Sequence, residues 1–344
     1  MHAINLSLRK IPENEDVSDD EVDGNLNEQH EELREEENEE DETEGQEYEL
    51  KWDTEIEDVQ VDPFNQPSGP TKPLLSHQNV KNFFELMFDN KIWNHITKQT
   101  NLYAKQRIQL KPDPNWKPLG VGELKSWVGC LIAMGLSRHN NIKMYWQPPW
   151  RLSIVADRFT RDRFLAIKKY LHLADNSTFG DGKTSNPDRL AKLRPFLNLL
   201  LQNFRSNYRP SRFLTVDEDM VKFKGRQSMK QYMKAKIIKW GYKVWKLCDS
   251  SSAYILNLDV YTGAGEEKFE NGLAYSVVMK MMEGYLDKNH VVVLDNYYTS
   301  VPLLLDLLDR STYACGTVRL KRKFLPEEFR EFKFWQDGNL VATL

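Results

Sequence analysis

The chain has 344 residues, 40% of them hydrophobic and 28% charged, enough for two domains and a sizeable core. No apolar run approaches the roughly 20 residues that cross a bilayer, which excludes a membrane-spanning helix, and the expectation is no membrane partner. The start, MHAINLSLRKIPENED, lacks the apolar centre of a signal peptide, so the expectation is an intracellular protein.

The net charge of −4 hides a division. Residues 13–58 hold 24 acids against two bases, Arg34 and Lys51, for −22; the other 298 residues carry 45 bases against 27 acids, for +18. An overall pI near 6.1 argues against nucleic acid, and setting the acidic segment aside reverses that inference. Three cysteines, Cys130, Cys248 and Cys315, with no CxxC pair, exclude a disulfide scaffold and a four-ligand zinc site; all three read as small core hydrophobes.

In chain order, residues 1–74 are expected to be a disordered acidic tail, too charged to bury a core. The tail either solvates the body or recruits a partner, and NQPSGPTKP (65–73) marks the junction. Residues 75–210 have helical periodicity. Val80, Phe83, Phe84 and Met87 form one stripe, Leu124, Trp127, Val128 and Leu131 a second, and Phe164, Ile167 and Leu171 a third behind a Thr160 cap. All three stripes are expected to be core.

From residue 211 the period becomes that of strands. RFLTVDEDMVKF alternates Leu214, Val216 and Met220 against Phe213, Thr215 and Asp217; YKVWKLCD (242–249) and AYILNLDVYTG (253–263) follow, and the three predict an antiparallel meander. A helix over 274–286 leads to the apolar run Val291–Leu294, a helix with Pro302 in its first turn follows, and 313–320 reads as a last strand. A helix between the third and fourth strands is a crossover, which can lay the fourth strand parallel to the first. The continuous run Val291–Leu294 then suits a strand covered on both faces.

Asp295 ends that run. A carboxylate there is either satisfied by a neighbour or delivered to a site, and the crossover order makes Asp217, 78 residues earlier, its candidate partner. Two adjacent carboxylates repel unless a cation intervenes, and Mg²⁺ prefers such hard oxygen ligands. Two ions in such a place suit phosphodiester chemistry. The nearby acids Glu218, Asp219, Asp249 and Asp259 are expected to be structural, with Glu218 and Asp219 on alternate faces, Asp249 at a turn and Asp259 on a surface strand.

Shortly after Asp217, the stretch from Lys222 to Lys246 carries nine cations and no acid: Lys222, Lys224, Arg226, Lys230, Lys234, Lys236, Lys239, Lys243 and Lys246. They suit a polyanion running past the acid pair, with phosphate contacts that supply affinity rather than sequence reading; the plain alternative is a solvated cationic face. Trp240 and Trp245, interleaved among them, read as core. Arg319, Lys321, Arg322 and Lys323 extend the same surface.

In these residues the sequence resembles the piggyBac family of transposases and transposase-derived proteins. The resemblance rests on LTVDEDMVKFKGR (214–226), GYKVWKLCDSSSAYILNLDVYTG (241–263), VVLDNYYTSVPLL (292–304) and YACGTVRLKRK (313–323), with helical segments at 83–104, 122–136 and 157–176. It implies an α/β fold: a ribonuclease-H-like mixed sheet at 211–320, preceded by a helical dimerisation and DNA-binding-like domain at 75–210. It also implies a triad of aspartates with two Mg²⁺ ions that cuts transposon ends and joins them at TTAA targets, with DNA as partner, a homodimer, and a nuclear location. Asp217 and Asp295 match the first and second aspartates. The third, in a motif like G-G-V-D beyond an insertion that would start at 321–344, has no counterpart here; Asp337 is a turn acid in another context, and the family's zinc-binding module has no counterpart either. Three functions follow as expectations: a DNA-binding protein without catalysis, part of an active transposase, or a protein-interaction scaffold.

Overall fold

The computed structural model describes residues 61–73, 79–179, 188–234, 236–263, 271–319 and 322–325. The acidic segment 13–58, Lys321 and Asp337 lie outside them.

Order is already present at 61–73, which the sequence reading assigned to the tail and its junction. Gly69–Pro70 (β1) pairs antiparallel with Tyr208–Arg209 (β2). The Asp62 N–H donates to the Tyr313 hydroxyl, Arg212 donates to the Asp62 carbonyl, and the Phe64 ring lies 4.9 Å from that of His290. One phenylalanine and a few backbone groups suffice to fasten this segment to the sheet.

Helices follow. Val80–Met87 (α1) carries an Asn79–Asn82 capping box, and Asn90–Leu110 (α2) is capped by Asp89. Val121–Leu136 (α3), Ser153–Ala156 (α4), Arg161–Tyr170 (α5) and Arg194–Asn207 (α6) complete the series. The Thr160 hydroxyl accepts from the Arg163 N–H at 3.3 Å, as the α5 capping pattern requires. The core of this region joins Ile92, Trp93 and Ile96 of α2 to Leu124, Trp127, Cys130 and Met134 of α3 and to Phe164 and Ile167 of α5. Two stripes therefore differ from expectation. On α3 the buried face is centred on Cys130 and Met134, leaving Leu131 exposed, and on α1 Val80 is 84% exposed while Phe84 stacks on Phe88 at the surface.

The second core lies under a mixed sheet. Phe213–Lys222 (β3) pairs antiparallel with Trp240–Asp249 (β5), which pairs with Gln231–Tyr232 (β4) at one end and with Ile255–Val260 (β6) at the other. After Gly272–Met281 (α7) the chain returns as Val291–Leu294 (β7), parallel to β3; Val301–Asp309 (α8), with Pro302 in its first turn, leads to Tyr313–Gly316 (β8), parallel to β7. The path order β4-β5-β3-β7-β8, with β6 also on β5, is the antiparallel meander with parallel crossover strands that the element order predicts. Strand β8 ends at Gly316, four residues short of the expected 320.

Alternation decides which face is buried. Leu214 and Val216 of β3, Leu247 of β5, and Val292 and Leu294 of β7 pack against Val277, Val278 and Met281 of α7 and Leu303 and Leu307 of α8. The opposite face is open among the described residues: Phe213 is 51% exposed, Val293 and Cys315 are exposed, and Val291 is half-buried. Among the described residues the run Val291–Leu294 is thus covered on one face, and of the three cysteines only Cys130 is buried. Helix α6 spans the two cores, with Phe196, Leu199 and Leu200 on the helical one and the Phe204 carbonyl accepting from the Tyr254 hydroxyl at the foot of β6.

Candidate metal centre and nucleic-acid interface

The register of β3 against β7 explains how two distant acids meet. Thr215 pairs with Val293, so two residues further along parallel strands Asp217 and Asp295 stand side by side. Strand β7 ends at Leu294, and beyond it β3 has no neighbour on that edge among the described residues. Into this gap the carboxylates of Asp217, Glu218 and Asp295 converge, each offering an oxygen within 4.8 Å of the others. The strand reading put Glu218 on the other face. Its carboxylate nonetheless reaches the gap, with the side chain only 9% exposed, while Asp217 and Asp295 are exposed.

Each acid is held differently. Asp295 accepts from the Tyr297 N–H at 2.9 Å and the Tyr298 N–H at 3.3 Å, both on one carboxylate oxygen, in a turn that orients the group. Asp217 accepts from the Glu218 N–H. Although the Asp217 side chain is exposed as a whole, desolvation of its carboxyl by the surrounding protein, with the adjacent charges of Glu218 and Asp295, pushes it above the usual range despite Lys236 nearby. Burial acts on Glu218 in the same direction, but Lys236, Lys243 and the Tyr298 hydroxyl outweigh it and hold this carboxyl low. Lys236 Nζ lies 3.0 Å from Glu218 and 4.0 Å from Asp217, and the fully buried Tyr298 donates its hydroxyl to Glu218 at 3.0 Å. Burial and the Glu218 charge push the Tyr298 phenol far up, so it stays protonated and a donor.

Sequence reasoning missed the roles of Glu218 and Tyr298. The only signal was position: Glu218 follows Asp217 directly, and Tyr298 lies three residues past Asp295.

Gly316 permits this packing. A Cβ there would lie 2.4 Å from the Leu294 carbonyl oxygen and 2.5 Å from the Thr299 hydroxyl, in the turn that carries Asp295. Gly241 does the same for the basic hairpin, since a Cβ would sit 2.2 Å from the Val221 carbonyl oxygen.

The basic stretch forms the end of β3, the β4 excursion and β5, directly beside the acids. Lys222, Lys224, Arg226, Lys234 and Lys239 are exposed, and Lys230 lies 4.6 Å over the Trp240 ring. Lys236 and Lys246 pair with acids of β3, Lys236 with Glu218 and Lys246 with the exposed Asp219. The stretch holds no acid of its own, but two of its cations are compensated from the neighbouring strand. Lys243 stacks over Tyr297 at 4.8 Å. Trp245 is buried as expected, and Trp240 is half-buried. Arg319 is exposed; Arg322 donates to the carbonyls of Asn296 and Tyr297, next to Asp295.

Asp249 and Asp259 are engaged within the fold. Asp249 is fully buried and accepts from the N–H groups of Ser211, Ser251 and Ser252; although burial opposes it, these donors bring its pKa down to about 2. Asp259 is buried rather than on the surface, because Lys280 and Arg194 pair with it.

Comparison with known proteins agrees with this arrangement. Residues 80–342 match the family described as transposase IS4. The human piggyBac transposable element-derived protein 2 is 31% identical over 245 residues, 69% of this chain and 39% of that protein. The human piggyBac transposable element-derived protein 5 is 25% identical over 288 residues, 79% of this chain and 53% of that protein. Among solved structures, a piggyBac transposase synaptic complex with hairpin DNA, determined by cryo-EM, superimposes with a TM-score of 0.66 at 24% identity, over 78% of this chain and 56% of that one. That likeness establishes the ribonuclease-H-like fold. The chain spans about two-fifths to one-half of the length of these curated relatives. With three-quarters of its length inside the family match and its mixed sheet in the same fold, the chain belongs to the transposase IS4 family, among the piggyBac transposable element-derived proteins.

Proposed function

We propose that these residues bind DNA along the β4–β5 hairpin and hold a divalent cation, Mg²⁺, between Asp217 and Asp295. The observation that carries this reading is the convergence of the two carboxylates at the end of parallel strands, directly beside exposed cations. The donor set fits the ion: hard carboxylate oxygens, within 4.8 Å of one another, reachable from solvent, with one oxygen of Asp295 oriented by backbone N–H groups. When bound, Mg²⁺ would supply charge stabilisation at a phosphodiester. The chain's own residues do the rest. Lys222, Lys224, Arg226, Lys230, Lys234, Lys239, Arg319 and Arg322 line the approach to a backbone lying across the acids, and the turn at Asp295 fixes its carboxylate. The relatives' names and the DNA in the solved synaptic complex support the choice of polyanion, and a DNA ligand supports a nuclear location.

Cleavage and strand transfer by these residues alone are proposed to be weak. A two-metal site draws on a third ligand carboxylate, and both Glu218 oxygens are engaged by Lys236 and Tyr298. Fluorescence anisotropy with duplex DNA over a range of salt tests the binding. Lys224→Glu with Lys234→Glu should reduce the salt slope by about two. Binding that ignores salt, or no binding, would favour a scaffold instead. Mg²⁺-dependent nicking that disappears in Asp217→Asn would show an active centre and overturn the inactive reading.

A further inference from the structure

We propose that the Lys236 ammonium is a resident counter-cation of the acid site, holding the place at the carboxylates that a divalent ion takes over. The inference rests on the reading of Asp217 and Asp295 as metal ligands and adds which residue opposes the metal.

Lys236 belongs to the excursion between β4 and β5, whose exposed cations Lys234 and Lys239 face solvent. Its own side chain turns inward. Nζ lies 3.0 Å from a Glu218 carboxylate oxygen, donates to the Glu218 backbone carbonyl at 3.2 Å, and stands 4.0 Å from Asp217. An ammonium has three donors, and this one spends two on the same residue. Glu218 cannot turn away, because the buried Tyr298 hydroxyl holds its other oxygen at 3.0 Å. Glu218 and Tyr298 thus act as a clamp that fixes a positive charge beside Asp217 and Asp295.

This placement has two electrostatic consequences. Without metal, the ammonium offsets part of the repulsion among three carboxylates within 4.8 Å. With metal, the same ammonium becomes a like charge a few ångströms from a doubly charged ion. Even at bulk-water dielectric, that repulsion weakens binding roughly tenfold. A divalent ion therefore takes over the carboxylates by displacing Lys236, in a competition that lowers its affinity.

Mn²⁺ titration of the full chain, read by electron paramagnetic resonance, tests the idea. Lys236→Gln should bind Mn²⁺ roughly tenfold more tightly than the unaltered chain, and Lys236→Arg, which keeps the charge, should stay close to it. Equal or weaker binding by Lys236→Gln overturns the inference and leaves the metal site standing, with Lys236 reduced to a support for Glu218. If the unaltered chain and Lys236→Gln both bind no better than the Asp217→Asn/Asp295→Asn double variant, the metal reading itself fails and the inference with it. Amine labelling followed by mass spectrometry needs no variant. Lys236 should label faster with Mn²⁺ than with a chelator, and an unchanged rate counts against displacement.

Discussion

Replacing Asp217 by Asn should stabilise the metal-free chain and also abolish its response to Mg²⁺. Its carboxylate shares a 4.8 Å neighbourhood with Glu218 and Asp295. Two unit charges at that distance repel by about 1 kcal/mol in bulk water and by about 3.5 kcal/mol at an effective dielectric near 20. The Asp217 side chain is 61% exposed, so the lower figure governs, and Lys236 at 4.0 Å removes part of it. The sign follows from the raised Asp217 carboxyl: desolvation is the largest cause, and the charges of Glu218 and Asp295 add to it against the Glu218 N–H and Lys236. An acid with a folded pKa above its unfolded value ionises first in the unfolded chain. Stability is therefore undiminished below the unfolded pKa, falls as pH rises through the interval between the two values, and stays lower at neutral pH.

Asn cannot ionise, so at pH 7 the variant should gain up to about 1 kcal/mol, or about 3 °C in Tm. Thermal unfolding in a chelator and in excess Mg²⁺ measures both effects. The unaltered chain should gain stability with Mg²⁺ by ligand linkage, and the variant should not. A variant that is less stable in chelator, or that keeps the full Mg²⁺ shift, would refute the claim that Asp217 is a strained metal ligand.

Asp249 should behave in the opposite way. Its pKa is held down to about 2, so its contribution of about 2.5 kcal/mol is present above about pH 4 and lost as pH falls toward 2. Asp249→Ala should flatten that acid limb in urea titrations and cost about 2–3 kcal/mol at neutral pH by stranding the N–H groups of Ser211, Ser251 and Ser252. Gly316→Ala should cost about 1–3 kcal/mol, because its Cβ must push β8 away from the Leu294 carbonyl and the Thr299 hydroxyl. Since Thr299 closes the turn at Asp295, Mn²⁺ affinity should fall as well; unchanged affinity would uncouple β8 from the site.

The sheet was legible because its signals are local and redundant. Leu214, Val216 and Met220 alternate with polar or exposed residues, Pro302 opens a helix, and the helix between the third and fourth strands forces a parallel return. The partnership of Asp217 with Asp295 was legible from that same order. What failed depends on neighbours far away in sequence. The Val291–Leu294 run reads as doubly covered, yet the described residues cover one face, because apolarity reports what a strand tolerates rather than what packs on it. The α1 stripe reads as core, but periodicity gives a face and not its partner. Asp259 reads as a surface acid because Lys280 and Arg194, which make its burial affordable, lie 21 and 65 residues away.

The least legible feature was the sorting of one run of cations into two kinds. In sequence, Lys234, Lys236 and Lys239 are equivalent; in the fold, Lys236 is drawn to Glu218 while the others stay in water. That sorting bears on how a polyanion could use the surface. Phosphates attracted by Lys222, Lys224 and Arg226 would be carried toward Asp217 and Asp295, whose charges repel them. Attraction along the hairpin and repulsion at its end balance only if positive charge sits at the acids. The ammonium supplies one unit of it, and a divalent ion would supply two. On the proposed function, DNA affinity and cation occupancy at Asp217 and Asp295 are therefore linked, and by reciprocity DNA should raise the affinity of the site for its metal as much as the metal raises the affinity for DNA.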